Sequence, residues 1–280
     1  MTTTRVLLLS LPLTFALVAR AVGQASTSPD TVTVRSGALD LRALLWRPQG
    51  HGPFPAVLFN HGSGTVAERQ SAQAAAVGPV FAKHGYVLLF VFRRGSGLSA
   101  GVGTSAADLL DRELATNGQE ARNTLQLQLL ETDQLSDALA GLAFLRALPE
   151  VDTRRVAVAG HSFGGSLALL LAERDTALRP AVVFGGSAGS WDRSPELRAL
   201  LLRAIDETTV PVFFIQAAND YSTAPAEVLS AEMTRLGKSH RAMVYPPVGQ
   251  TPAEGHDFVY LGVGTWEADV FSFLDAHMQR

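Results

Sequence analysis

Residues 160–164 read Gly-His-Ser-Phe-Gly, the Gly-x-Ser-x-Gly spacing of a serine held on a sharp turn between a strand and a helix. An apolar strand pattern at 155–160 precedes the serine, and an apolar helix pattern follows it. Side chains at Gly160 or Gly164 would collide with their neighbours in so tight a turn. The turn lifts the Ser162 hydroxyl clear of the sheet, above the positive end of a helix. The pattern predicts a nucleophilic serine; the alternative is a chance glycine-rich turn.

A serine hydroxyl is a weak nucleophile near neutral pH and needs a base. Serines of this kind are followed along the chain first by an acid and then by a histidine. Asp220 stands just beyond the apolar run at 210–218, and His256 stands in Glu-Gly-His-Asp-Phe at 254–258. Asp220 would hold one ring nitrogen of His256, and the other would take the proton of Ser162. The order predicts a catalytic triad.

Each of these two assignments has an alternative. Asp220 could cap the helix that follows it, a position that aspartate favours. His256 could be a solvated histidine in a surface loop. Asp192 and Asp206 also lie between the serine and the late histidine, but neither directly follows the end of a strand. The chain order therefore favours Asp220 and His256 as acid and base.

An acyl-transfer intermediate carries a negative oxygen that two backbone N–H groups should face. One would come from Phe163, and the other from the Asn-His-Gly-Ser-Gly loop at 60–64 that follows an early apolar strand. We expect the N–H of Ser63 to serve there, with Gly62 next. His61 is predicted to brace this loop by hydrogen bonds and to belong to the rim of the substrate pocket.

A second glycine-rich loop, Arg-Arg-Gly-Ser-Gly-Leu-Ser-Ala-Gly at 93–101, follows the next strand pattern. It is not a dinucleotide loop, because its third glycine comes one residue too late for Gly-x-Gly-x-x-Gly. Its place at a strand end predicts that Arg94 and Gly95 line the pocket rim. Arg93 and Arg94 would either hold a substrate carboxylate or form salt bridges.

Strand and helix patterns alternate along the chain, which predicts an α/β fold with a mostly parallel central sheet and helices on both faces. No helix separates the first two strands, so they should form an antiparallel edge. The predicted strands are about 31–35, 41–47, 56–59, 86–92, 155–160, 181–186, 210–218 and 241–246; the predicted helices are about 67–83, 106–148 with a break near 116–118, one directly after 162, 195–205, 224–236 and 265–278. One domain, residues 26–280, accounts for this pattern.

The N-terminus has the pattern of a secretory signal peptide. Arg5 precedes an apolar run at 6–18, and the small residues Gly23 and Ala25 suit a cleavage site after Ala25. We therefore expect residues 1–25 to be removed and the mature protein to be secreted or periplasmic, without stable membrane insertion. The run is short for a span of about 20 residues, and an uncleaved anchor is the alternative.

Composition excludes several classes of function. The 280 residues contain no cysteine, so a cysteine nucleophile, a thiolate metal site and disulfides are ruled out. The net charge of -3 gives no basic footprint for nucleic acid. No histidine pair has metal-ligand spacing on a helix, so no metal and no cofactor are expected.

Five segments taken in order, FNHGSG, FRRGSGLSAG, AGHSFGGSLAL, QAANDYSTAP and EGHDF, resemble the dienelactone-hydrolase-like branch of the α/β hydrolases. They are also similar to the catalytic domain of prolyl-oligopeptidase-type enzymes. The resemblance extends from about residue 31 to the C-terminus. It implies the α/β-hydrolase fold, Ser162, Asp220 and His256 as the triad, and Phe163 with the loop 60–64 as the oxyanion hole.

The chain departs from authentic dienelactone hydrolases, which have cysteine where Ser162 stands. We therefore expect a serine hydrolase, first of all a carboxylic ester hydrolase acting through an acyl-enzyme on a small ester. A small peptidase or amidase is the second hypothesis, and a non-catalytic binding protein on a hydrolase fold is the third. The segment 105–131 is longer than a minimal connection and is predicted as a cap over the site. The oligomeric state is left open.

Overall fold

The computed structural model describes residues 28–64 and 66–279, so the predicted signal peptide lies outside the described residues. The strands are β1 Asp30–Ser36, β2 Leu39–Trp46, β3 Phe54–Asn60, β4 Val87–Val91, β5 Val151–His161, β6 Ala181–Phe184, β7 Val212–Ala217 and β8 His240–Tyr245. The helices are α1 Ala67–Lys83, α2 Ala106–Glu131, α3 Asp133–Ala147, α4 Phe163–Arg174, α5 Pro195–Glu207, α6 Ala224–Arg235, α7 Pro252–His256, α8 Phe258–Leu261 and α9 Val263–His277. Short 3₁₀ turns lie at Gly97–Ser99 and Trp191–Arg193.

The eight strands form one sheet in the order β1-β2-β4-β3-β5-β6-β7-β8. β1 pairs with β2, and β2 with β4, in antiparallel fashion, whereas the strand pairs from β4 to β8 are parallel. The predicted fold class and its antiparallel N-terminal edge are therefore confirmed. The strand order reverses between β3 and β5, and the carboxyl ends at such a reversal are where open α/β sheets place their sites.

The central strands are buried on both faces. β4, β6 and β7 are buried at every position, which matches the apolar sequences of β4 and β6 and the apolar start of β7, before Gln216. Along β3, Ala56 and Leu58 pack into one core layer while Val57 and Phe59 pack into the other. This alternation follows from the two-residue period of a strand. Helices therefore cover both faces of the sheet and hold its carboxyl ends in fixed positions.

The helical stretch predicted from 106 to 148 is two helices. α2 spans 26 residues and bends at Gly118, whose φ of 84° interrupts its helical geometry within the predicted break. Its start is capped by Ser105, whose hydroxyl accepts a hydrogen bond from Asp108 N at 3.0 Å. Thr132, with φ -122° and ψ -102°, separates α2 from α3. Within residues 28–64 and 66–279, no helix has the length and apolar character to cross a membrane.

Candidate active site

Ser162 occupies the turn between β5 and α4 with φ 55° and ψ -119°. A positive φ is costly for any residue with a Cβ and persists only where the surroundings fix it. Here the backbone is held on both sides, since Ser162 N donates to Phe184 O at 2.9 Å and Ser162 O accepts from Gly165 N at 3.0 Å and Ser166 N at 3.3 Å. The geometry is that of a strained nucleophile elbow.

The two outer glycines of the motif are required by packing. A Cβ on Gly160 would overlap the carbonyl oxygen of Gly164, and a Cβ on Gly164 would overlap the carbonyl oxygen of Asn60. Both obstacles are backbone atoms, which cannot rotate aside as a side chain can. The turn therefore excludes every residue larger than glycine at these two positions.

We expect Gly164→Ala to lower the free energy of unfolding by about 3 kcal/mol, because the methyl group overpacks a backbone contact between α4 and the end of β3. Urea unfolding followed by circular dichroism would measure the change. Gly264→Ala is the matched control, since a Cβ there meets no atom within 4 Å. Equal unfolding midpoints for the two variants would contradict this account of the elbow.

The predicted acid and base meet in the folded chain. His256 Nδ1 lies 2.7 Å from Asp220 Oδ1, and the side chains are 12% and 1% exposed. Tyr221 N also donates to Asp220 Oδ1 at 2.6 Å, and Gln216 Nε2 donates to Oδ2 at 3.1 Å. Since the ionised carboxylate can only accept, the ring proton resides on Nδ1 and the lone pair on Nε2. His256 and Ser162 line the same cleft.

His256 lies at the end of a short helix and not in the loop that the sequence predicts. Thr251 and Glu254 cap the start of α7 with reciprocal hydrogen bonds, a capping box. Gly255 lets this helix approach the end of β7, because a Cβ there would lie 2.5 Å from the carbonyl oxygen of Asn219. The close approach brings His256 next to Asp220, which follows Asn219 in the chain and is the predicted acid.

Sequence reasoning missed Gly185, which directly follows β6. Its φ is +55°, and a Cβ on it would lie 2.9 Å from Asp220 Oδ2 and 3.3 Å from His256 Nδ1. The chain after β6 therefore passes against the carboxylate–imidazole pair and seals it on that side. The Gly-Gly pair at 185–186, following an apolar strand, was the available signal.

The predicted oxyanion groups lie beside the serine. Phe163 is the first residue of α4, so its N–H has no acceptor within the helix. The Cβ position of Gly62 lies 3.5 Å from Ser162 Cβ, which places the loop 60–64 against the elbow. Phe163, Gly62 and Ser63 all line the cleft. The arrangement can present two backbone donors to an oxygen that develops negative charge near the Ser162 hydroxyl.

His61 does not lie at the pocket rim, and that prediction is wrong. Its side chain is fully buried and stacks on Phe90, with ring centroids 5.8 Å apart. Nε2 accepts from Arg93 N at 3.1 Å, so Nδ1 carries the proton that it shares with Gly62 O at 2.6 Å. Burial, and then the charge of Arg93, hold the pKa of His61 well below its ordinary value. His61 is therefore a neutral ring that supports the loop 60–64 from inside the protein.

Arg93 supports the same loop. It is 1% exposed, and its Nη2 donates to His61 O at 2.8 Å and to Gly62 O at 3.0 Å. Its guanidinium carbon lies 5.6 Å from the centre of the Phe163 ring. Burial lowers the pKa of Arg93 to about 10, which leaves it charged at neutral pH. Arg93 therefore binds backbone carbonyls and not a substrate carboxylate.

Arg94 and Gly95 are also absent from the cleft, which corrects the remaining rim predictions. Arg94 forms ion pairs with Asp137 and Asp133, both at 2.8 Å, and the Asp137 side chain is fully buried. A Cβ on Gly95 would overlap the backbone of Ser105, so this turn packs beneath the start of α2. The structure therefore agrees with the alternative prediction that Arg94 forms salt bridges.

His161, the residue before the serine, received no role from the sequence but belongs to the site. Its ring centroid is 4.7 Å from that of His256, and its Nε2 donates to the backbone carbonyl oxygen of His256 at 2.9 Å. Burial, followed by the neighbouring His256, keeps the pKa of His161 well below its ordinary value. His161 is thus a neutral donor that holds the backbone of His256 in place.

The cleft beside Ser162 has a volume of about 660 Å³, within the ordinary range for small-molecule sites. α2, the predicted cap segment, forms one wall with Leu110, Arg122 and Gln126, and the segment 187–193 after β6 forms another. Within the described ranges, no group of three or more His, Asp or Glu side chains is placed to hold a metal ion. The cleft suits a small molecule held over the serine.

The sheet topology and the geometry around Ser162 define an α/β hydrolase. Residues 41–256 match the dienelactone hydrolase family, and the chain belongs to that family. The resemblance seen in the sequence is therefore confirmed. No curated protein matches the chain significantly.

Solved structures of a dienelactone hydrolase, a peptidase and an esterase share the fold. The dienelactone hydrolase from Anabaena variabilis has a TM-score of 0.62 and 22% identity, and the match covers 92% of this chain and 100% of that chain. The acylaminoacyl peptidase from Pyrococcus horikoshii has a TM-score of 0.64 and 16% identity, covering 92% of this chain but 43% of the peptidase. A Pyrococcus furiosus esterase has a TM-score of 0.61 and 15% identity, covering 90% and 92%. This chain thus spans less than half of the peptidase.

Proposed function

We propose that this hydrolase cleaves carboxylic esters of small molecules through an acyl-enzyme on Ser162. The observation that carries the proposal is the 2.7 Å bond between His256 Nδ1 and Asp220 Oδ1, buried beside a strained serine in one cleft. A buried carboxylate that fixes the imidazole tautomer is what a serine needs in order to lose its proton at neutral pH.

In the acylation half, Ser162 Oγ attacks the ester carbonyl carbon while His256 Nε2 takes its proton. Asp220 stabilises the imidazolium, and the backbone N–H groups of Phe163 and of Ser63 or Gly62 receive the negative oxygen. Collapse breaks the bond to the leaving oxygen, which accepts the proton from Nε2 and departs as an alcohol. In the second half His256 Nε2 takes a proton from a water molecule, which attacks the acyl-enzyme. As the bond to Ser162 Oγ breaks, Nε2 returns that proton to Oγ, and the carboxylic acid departs.

Two observations favour an ester over the peptide bond of the alternative hypothesis. The chain matches the dienelactone hydrolase of Anabaena variabilis over that protein's full length, but it covers only 43% of the acylaminoacyl peptidase. The family that residues 41–256 match is also named for a dienelactone, and a lactone is a cyclic ester. The hypothesis of a non-catalytic binding protein is disfavoured by the cost of the positive φ at Ser162, which a binding role does not require.

Turnover of two chromogenic substrates tests this choice. We expect the purified protein to release p-nitrophenol from p-nitrophenyl acetate with a larger kcat/KM than it releases p-nitroaniline from alanine p-nitroanilide. A rapid burst of about one p-nitrophenol per protein would report the acyl-enzyme. Faster cleavage of the anilide would favour the peptidase hypothesis. A folded sample that cleaves neither substrate would contradict the proposed function.

A further inference from the structure

Ser187 is a strained residue in the wall of the cleft that contains Ser162. Its φ is 65°, and among the described residues other than glycine only Ser162 also has a positive φ. Such a backbone costs free energy in any residue with a Cβ, and strain of this kind is concentrated at functional sites. Glycine would adopt it without strain, and positions 185, 186 and 189 of the same segment are glycine. A serine at 187 therefore indicates that its side chain contributes something that glycine cannot.

The backbone holds Ser187 beside the nucleophile. Its N–H donates to Ser162 O at 3.4 Å, and its carbonyl oxygen accepts from two N–H groups of the following turn, both at 2.9 Å. Two residues earlier the chain passes the catalytic ring, since a Cβ on Gly185 would lie 3.3 Å from His256 Nδ1 and 3.4 Å from its Cε1. Two residues span at most about 7 Å. Ser187 is therefore close to Ser162 and to the edge of the His256 ring that leads to Nε2.

The hydroxyl of Ser187 has a proton without an acceptor in the protein. Its Oγ lies 2.6 Å from Ser166 Oγ, and within residues 28–64 and 66–279 neither oxygen has another hydrogen-bond partner. Two hydroxyls carry two protons, and their shared bond uses one of them. If Ser187 donated, the proton of Ser166 would be left unpaired in the interior, where Ser166 is 1% exposed and an unpaired donor is costly. Ser166 therefore donates, and the proton of Ser187 is available to a molecule in the cleft.

The reaction develops negative charge at a second oxygen besides the carbonyl oxygen. When the tetrahedral intermediate collapses, the leaving oxygen carries charge until His256 Nε2 has passed its proton to it. The N–H groups of Phe163 and of the loop 60–64 face the carbonyl oxygen, so the leaving oxygen depends on the imidazolium N–H. A fixed donor that faces an atom on which charge develops lowers the barrier. The free hydroxyl proton of Ser187 lies at the side of the cleft where such a donor would act.

We propose that Ser187 is a further catalytic residue, whose hydroxyl donates a hydrogen bond to the leaving oxygen of the ester during acylation. The inference rests on the proposed function, since it concerns one step of that reaction. The bond between the acyl carbon and the leaving oxygen breaks, the proton on His256 Nε2 passes to that oxygen, and the alcohol departs. Ser187 forms no covalent bond and keeps its own proton throughout. The hydrogen bond from Ser166 orients the Ser187 hydroxyl for this contact.

Two butyrate esters that differ only in the leaving group test this role. Ethoxide is strongly basic and must be protonated as it departs, whereas p-nitrophenoxide is stable as an anion and needs little assistance. We expect Ser187→Ala to lower kcat/KM for ethyl butyrate by about 30-fold, the contribution of one hydrogen bond to a charged group. The kcat/KM for p-nitrophenyl butyrate should fall by less than about threefold. Since kcat/KM covers the steps up to departure of the alcohol, it reports acylation for both esters, and acid release in a pH-stat measures it.

Ser187→Gly separates a catalytic role from a structural one. It removes the same hydroxyl but suits the positive φ, so its midpoint of urea unfolding should be higher than that of Ser187→Ala. Its kcat/KM for ethyl butyrate should still fall by about 30-fold. Ser190→Ala is the matched control, because Ser190 lies in the same segment but already donates its proton to Gln126 Oε1. The ratio of the two kcat/KM values should stay at its wild-type value in this control.

A loss confined to the ethyl ester in both Ser187 variants, with the wild-type ratio in Ser190→Ala, would support the inference. Equal losses for the two esters would overturn it, because a distorted site slows both substrates alike. An unchanged kcat/KM for ethyl butyrate would overturn it as well. Either of these two results leaves the proposed function standing, whereas a folded wild-type protein that cleaves neither ester would refute the proposed function and the inference with it.

Discussion

Ser162→Ala is expected to reduce ester turnover by about 10⁶-fold, the size of loss seen when the nucleophile of a serine triad is removed. The substitution deletes only Oγ and keeps the Cβ. The Ser162 side chain makes no capping hydrogen bond to α4, and the elbow is held by backbone bonds to Phe184, Gly165 and Ser166. The free energy of unfolding should therefore change by less than about 1 kcal/mol.

The comparison needs activity and stability from one preparation. p-Nitrophenyl acetate hydrolysis and urea unfolding would be measured for the wild type, for Ser162→Ala and for Ser230→Ala. Ser230 lies on α6, where its hydroxyl donates to the carbonyl oxygen of Glu227, and it does not line the cleft. The control should keep its activity. Turnover by folded Ser162→Ala above about one hundredth of the wild-type rate would contradict the assignment of the nucleophile.

Asp220→Asn should lower kcat by about 10⁴-fold. The carboxylate of Asp220 is 1% exposed and is bonded to His256 Nδ1 at 2.7 Å. An amide of the same shape removes the negative charge that stabilises the imidazolium, and its NH₂ group can donate to Nδ1 and so select the wrong tautomer. The loss should fall on kcat more than on KM, because Asp220 acts through His256 and does not bind the substrate.

Asp206→Asn is the matched control for this variant. Asp206 also lies between the serine and the histidine in the chain, but it is exposed on α5 and outside the cleft. Steady-state kinetics with p-nitrophenyl acetate should give wild-type values for Asp206→Asn. A decrease of less than tenfold for Asp220→Asn, or equal decreases for the two variants, would remove Asp220 from the acid position.

The parts of the fold that depend on local sequence could be predicted. α1 begins and ends at the residues that its pattern indicates, and the apolar runs that predict β4, β6 and β7 form strands that are buried at every position. The elbow could be predicted for the same reason. Larger side chains are excluded at its two glycines by atoms that lie only a few residues away in the chain or at the end of the adjacent strand β3.

The sequence could not predict the contacts between residues that lie far apart in the chain. Arg94 was predicted at the pocket rim, but it pairs with Asp137 on α3, 43 residues later. His161 contacts His256 across 95 residues, and Asn123 on α2 donates to the carbonyl oxygen of Arg193 across 70 residues. Apolar periodicity predicts which face of a helix or strand is buried. It does not predict which polar side chain of a neighbouring element will contact that face.

Covalent labelling of the folded protein with a fluorophosphonate tests the central claim most directly, because the probe reacts with an activated serine whatever the natural substrate is. The labelled protein would be digested and the adduct located by mass spectrometry. We predict one adduct per molecule, on the peptide that contains Ser162, and a large loss of labelling in Asp220→Asn. An adduct on a different serine, or no adduct on a folded sample, would contradict the account of a serine hydrolase built around Ser162, His256 and Asp220.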